Sequence, residues 1–176
     1  MNHPLVFIPN EKRKPLFFAF LAGTLILFAI FRVLDAPLQT PAAPSGIVSF
    51  ELAGSPGNAQ AMVASWSEYA RLFAGFGLGF DFLFMPVYAL ALSLGILLAT
   101  ERHPGGFAKL GAWLGWGALV APLFDAVENI GLLKSLVSPL FSLWPVVSAV
   151  CATVKFALLI VGLVYALVGW LWPKRK

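Results

Sequence analysis

The chain has 176 residues, 60% of them hydrophobic and only 11% charged, with a mean hydropathy of +0.86. Soluble globular domains carry near a quarter charged residues, so this composition excludes them and requires an integral membrane protein. The net charge of +4 and pI of about 9.5 do not imply a nucleic-acid partner, because the basic residues form no folded patch or amphipathic stripe. They mark the gaps between apolar runs instead.

A span needs roughly 20 mostly apolar residues to cross a hydrocarbon core of about 30 Å. Four windows qualify: 16–34, 73–100, 110–133 and 146–172. Lys12, Arg13 and Lys14 precede the first, Arg102 and Lys109 bound the loop between the second and third, and Lys174, Arg175 and Lys176 close the chain. The opposite side has no Lys or Arg between Arg32 and Arg71, and only Lys134 between spans three and four. The positive-inside rule therefore places both termini in the cytoplasm, in a cell (inner) membrane. Span one is expected to be retained rather than cleaved as a signal peptide. Its apolar run is long, ends in Arg32 and Asp35, and lacks a clean small-x-small cleavage site before Pro37.

The external segment, 35–72, divides in two. Ala36 to Ser45 carries Pro37, Pro41 and Pro44 and reads as an extended, solvated strap. Ser55 and Pro56 then signal a helix start, with Ser as cap and Pro in the first turn. Ala59, Met62, Val63 and Trp66 follow at i, i+3, i+4 and i+7, the pattern of an amphipathic helix. The expectation is an interfacial helix on the outer membrane surface or over the mouth of the bundle. Trp66 and Tyr69 suit the headgroup boundary as interfacial anchors; a lid over a site is the alternative.

Span two opens with Gly75-Phe-Gly-Leu-Gly79, a weak likeness to a phosphate loop. It follows no strand and leads into a membrane helix, so nucleotide binding is set aside in favour of close or flexible helix packing. Asp81 lies a few turns into this span. Span three carries Asp125, Glu128 and Asn129 on one helical stripe, and span four carries Lys155. Counting about 1.5 Å per residue puts all of them at one level in the outer half, with Glu68, Arg71, Arg32 and Asp35 just above. Asp81 and Tyr88 share a face of span two; Ser148, Cys151, Lys155 and Gly162 line up on span four.

A charge within a span costs several kcal/mol unless it is paired or hydrated, so these stripes should face inward and converge on Lys155. Three carboxylates exceed one ammonium, and Arg32 or Arg71 is the candidate further cation. Pro86 and Pro122 flank the same level, where kinks would free backbone carbonyls for water or side chains. The tryptophans near span ends fit interfacial belts without any ligand.

Histidine occurs only at His3, in the N-terminal tail, and His103, in a loop, so no metal site or cofactor is expected. The lone Cys151 excludes an internal disulfide and reads as a small packing group. Spans one and two do not repeat the charges and prolines of spans three and four, so an inverted-repeat transporter is not supported.

The run Ile47-Val-Ser-Phe-Glu-Leu-Ala-Gly-Ser55, Trp66, Asp81-Phe-Leu-Phe, Asp125-x-x-Glu-Asn and Lys155 together resemble a group of small four-span bacterial membrane proteins. The resemblance covers nearly the whole chain and implies no activity; it suggests that the external segment and charged level belong to one design.

The expected fold is all-α: a single integral membrane domain over 1–176, a four-helix transmembrane bundle with the interfacial helix between spans one and two. The leading function is binding of a lipid headgroup or small amphipathic ligand in a polar pocket of the outer-leaflet half, with membrane lipids as partners. One alternative is a structural subunit whose ion pairs set helix register, in contact with a protein partner or a second copy. The other is an intramembrane enzyme or proton-coupled carrier using the carboxylates, for which no catalytic residue can be assigned.

Overall fold

The computed structural model describes residues 2–138 and 143–173. Lys174, Arg175 and Lys176, counted above toward the cytoplasmic charge, lie outside them. Among the described residues the structure is all-helical. Helix α1 covers Asn10–Asp35, followed by a 3-10 turn at Ala36–Leu38, α2 at Ile47–Glu51, α3 at Pro56–Ser65, α4 at Glu68–Thr100, α5 at Gly106–Val137 and α6 at Trp144–Leu171.

Four of these helices are long and apolar enough to cross a membrane. They run 26, 33, 32 and 28 residues. At about 1.5 Å per residue each exceeds a hydrocarbon core of about 30 Å, which is why their ends overrun the apolar windows. Pro15, Pro86 and Pro122 lie inside helices that nonetheless continue through them. The glycines of Gly75-Phe-Gly-Leu-Gly79 are likewise absorbed into the uninterrupted α4.

The chain packs as two compact units. Unit 1 comprises Met1–Leu25, Met85–Pro122 and Lys155–Lys176; unit 2 comprises Ile26–Phe84 and Leu123–Val154.

In unit 1, Leu5 from the segment before α1 is buried with Leu94 and Leu97 of α4 and packs near Phe17 and Phe20 of α1. A second core joins Ile96, Ala99, Ala118, Tyr165 and Ala166. The N-terminal segment is therefore a packed element and not a tail. Arg13 holds it in place: its guanidinium donates to Ile8 O (2.8 Å) and Val6 O (2.7 Å) and pairs with Glu101. An arginine amid Lys12 and Lys14 that reads as loop charge is in fact buried and structural.

Unit 2 contains the α1–α4 connection, where the strap expected over 36–45 is mostly exposed but is pinned by two buried residues. Leu38 and Ala43 are buried in one core with Phe50, Ala53, Ala59, Val63, Trp66, Ala70, Ala74, Leu78 and Leu132. The prolines restrict the chain while the apolar residues between them anchor it, and Thr40 and Ala43 close a turn by exchanging backbone hydrogen bonds. Ser55 caps α3 as its sequence indicates, accepting from Asn58 N at 3.2 Å. The apolar stripe of α3 is real, but it faces this core.

Trp66 is the centre of that core. It is 2% exposed, donates its indole N–H to Leu38 O (2.7 Å) and meets Phe50 edge-on at 5.2 Å. An indole engaged in this way is turned toward protein, unlike the headgroup-facing anchor expected from sequence. Tyr69 is exposed, its ring tilted at 47° against that of Phe73.

Asp35 supplies the other fixed point. Its Oδ1 accepts from Ile47 N at 2.6 Å, at the start of α2, where Gly46 adopts φ +56°. A Cβ at Gly46 would collide with the Asp35 carboxylate. Gly46→Ala should lower stability by about 2–4 kcal/mol, combining a left-handed backbone with loss of a charge-assisted hydrogen bond. Gly57→Ala, in a helical position with open space around it, should instead be neutral or stabilising by up to about 1 kcal/mol. Thermal midpoints in detergent would separate the two, and equal losses would contradict this packing.

Candidate functional site

A helix buried in apolar surroundings must place polar side chains where partners exist. In unit 2, α5 buries Asp125, Glu128 and Asn129 almost completely, at 2%, 0% and 1% exposure. Their i, i+3, i+4 spacing gives one inward stripe, as the sequence indicates. Ser135, also buried on α5, turns its hydroxyl back to Gly131 O at 2.8 Å.

Asn129 joins this stripe to α4. Its Nδ2 donates to Asp81 Oδ2 at 2.8 Å and to Leu78 O at 3.3 Å. Asp81 is half-buried. Asn129 Oδ1 is buried and has no hydrogen-bond partner among the described residues. Asp81, Asp125 and Glu128 each have partners of their own.

The α5–α6 contact follows from Gly131. The missing side chain admits Ser148 and the Trp144 ring, and Ser148 Oγ donates to Glu128 O at 3.1 Å. Lys134 lies over the Trp144 ring, 4.2 Å from its centroid. Three helices are thereby tied together beside the stripe, and Cys151 is half-buried in the same unit.

Arg32, Glu68 and Arg71 are exposed. Arg71 donates through Nε to Val63 O at 3.1 Å, satisfying a carbonyl in the last turn of α3. These three are not drawn into the buried stripe. Tyr88 and Lys155 are buried in unit 1 and neither is without a partner; Lys155 Nζ lies over the Phe156 ring at 4.7 Å. No group of three or more His, Cys, Asp or Glu among the described residues is arranged to hold a metal ion.

Both histidines, read as tail and loop residues, are buried in unit 1. His103 Nε2 lies 3.0 Å from Gly169 O. His3 accepts Leu5 N–H through Nδ1 at 3.2 Å and packs against Gly115 of α5, where a Cβ would displace it. Trp116 also reaches this segment, donating to Asn2 O at 3.3 Å. Nothing in the spacing marks His3 for burial; only the neighbouring Leu5 and the glycine at 115 hint at docking.

No family model, curated protein or solved structure matches this chain.

Two outcomes follow. Gly131→Ala should overpack the α5–α6 contact and cost about 1–3 kcal/mol, and Ser148→Ala should recover part of that loss in the double variant. Additive losses in thermal unfolding would refute the contact. His3 is held at a pKa of about 4, below the usual 6.5, first by burial and then by the Arg13 charge. Folding thus favours neutral His3, and its contribution is complete above pH 6.5 and lost as pH falls toward 4. His3→Leu should flatten the stability profile in that window; an unchanged profile would show that His3 is not the titrating group.

Proposed function

We propose that this protein is a membrane-embedded binding protein whose polar level takes a lipid headgroup or another small amphipathic ligand. The reading rests on one observation above all. Asp125, Glu128 and Asn129 lie buried on a single stripe of a long, mostly apolar helix, with Asp81 bonded to Asn129. Apolar residues of similar volume would stabilise such a helix at least as well, so retaining these groups calls for a use.

The α1–α4 connection suits the role of a cover. Its core includes Leu78 and Leu132, on the same helices as Asp81 and Asn129. With Lys12, Lys14, Arg102 and Lys109 flanking the ends of α1, α4 and α5, the positive-inside rule favours an inner membrane with both termini cytoplasmic. The connection and the polar level then lie toward the outer leaflet, with Tyr69 as the remaining aromatic anchor.

A second reading is favoured by the hydrogen bonds from Asn129 to Asp81 and from Ser148 to the Glu128 carbonyl. Both link neighbouring helices, and polar links can fix register without binding anything. Purification in mild detergent followed by native and denaturing mass spectrometry separates the two. The binding reading expects a stoichiometric amphiphile with wild type that is lost in Asp125→Asn or Glu128→Gln. Folded variants that are only less stable, and a wild type that carries nothing, would favour the scaffold.

A further inference from the structure

We infer that the end of unit 1 where α1 begins, α4 ends and α5 begins is a docking surface for the headgroups of anionic phospholipids, with Arg102 as its principal cation. The inference is independent of the polar stripe in unit 2 and of the ligand proposed for it.

Direct contacts bring these three helix ends together. Arg13, in the first turn of α1, pairs with Glu101, the residue that follows α4. The short turn 101–105 then leads into α5, whose first turn carries Lys109. Further along α5, the Trp116 indole donates to Asn2 O and ties the segment before α1 to the same end.

The charge gathered there is one-sided. Unit 1 has two acids, Glu11 and Glu101, and Arg13 takes up Glu101. Glu11 is left against Lys12, Lys14, Arg102 and Lys109. The three lysines are exposed, whereas Arg102 is half-buried. Arg102 makes no ion pair among the described residues, and its Nε is buried with no hydrogen-bond partner among them. A partly desolvated guanidinium without a counter-charge is screened less by water than an exposed lysine, so an anion beside it gains more. The guanidinium fork also matches the oxygens of a phosphate.

Two features commit the surface to lipid. The cations lie at the ends of helices long and apolar enough to cross a membrane, which is the level of the headgroups. Arg13 also donates to Val6 O, which sets an apolar turn beside the basic side chains. In that turn Val6 is 50% and Phe7 77% exposed. Apolar side chains that enter the acyl boundary beside cations that meet anionic headgroups are the pattern of an interfacial element. A soluble anion or a nucleic acid would leave Phe7 without a use.

The test uses the full chain in mild detergent, titrated with phosphatidylglycerol and phosphatidylcholine of identical acyl chains and read by native mass spectrometry. Both lipids carry a phosphodiester, but only the first has net negative charge. A Lys or Arg near an anionic surface contributes roughly fivefold in binding, so the expected preference for phosphatidylglycerol is at least about tenfold. It should shrink as salt is raised. Arg102→Gln should reduce it by about fivefold, and Lys12→Gln with Lys14→Gln should also lower it. Lys134→Gln removes one charge from unit 2 and should leave it unchanged. Because a variant can fail to fold, the lipid preference and its salt dependence are read on the wild type as well.

Equal binding of the two lipids by the wild type would overturn the inference, as would a preference that salt does not weaken. A preference retained in folded Arg102→Gln, or lost equally in Lys134→Gln, would do the same. Displacement of phosphatidylglycerol by an equal concentration of inorganic phosphate would replace the lipid surface with a site for a soluble anion.

Discussion

Asn129 must satisfy a primary amide where almost no solvent reaches, and the arrangement of unit 2 turns on how it does so. Its two N–H groups bond a carboxylate and a backbone carbonyl of α4. Both bonds come from one rigid group, so they fix the rotation of α5 against α4 as well as its height. Leu78, whose carbonyl accepts one of them, buries its side chain in the core built around Trp66 and Phe50. The polar level and the α1–α4 connection therefore share a residue, and a shift in either disturbs the other.

The connection itself is held by two polar contacts of the same kind. Asp35 at the end of α1 reaches the start of α2, and the Trp66 indole reaches Leu38 O just after α1. Each closes a long loop by pairing a buried side chain with a backbone group, which satisfies the backbone and orders the segment together. Unit 1 uses Arg13 similarly, gathering Val6, Ile8 and Glu101 around one guanidinium. Charged residues thus serve as structural ties at several places. The proposed site differs because Asn129 retains an unused buried acceptor.

Much of the all-α architecture was legible in sequence. Four apolar windows gave the long helices, Ser55 and Pro56 gave the start of α3, and the Asp125, Glu128 and Asn129 spacing gave one buried stripe. What sequence did not convey were contacts between distant segments. The prolines around Leu38 suggest extension, but not that Trp66 draws this stretch into a core. Arg13 sits between two lysines and looks like part of a surface run; its burial depends on the turns over residues 3 to 8, whose carbonyls it caps. Counting along the helices puts Arg71 and Arg32 just above the level of Asp81, but both are exposed, because such counting says little about azimuth. The bond between Asn129 and Asp81 needed the relative rotation of two helices, which no single periodicity encodes.

The most direct measurement is a high-resolution experimental density map of the full chain in a lipid nanodisc, focused on the surroundings of Asn129. Density for a non-protein group is expected within hydrogen-bond distance of Oδ1, while Nδ2 keeps its bonds to Asp81 and Leu78. An Asn129 Oδ1 enclosed by apolar side chains, with no such group beside it, would contradict the binding site and leave the polar stripe as scaffold alone.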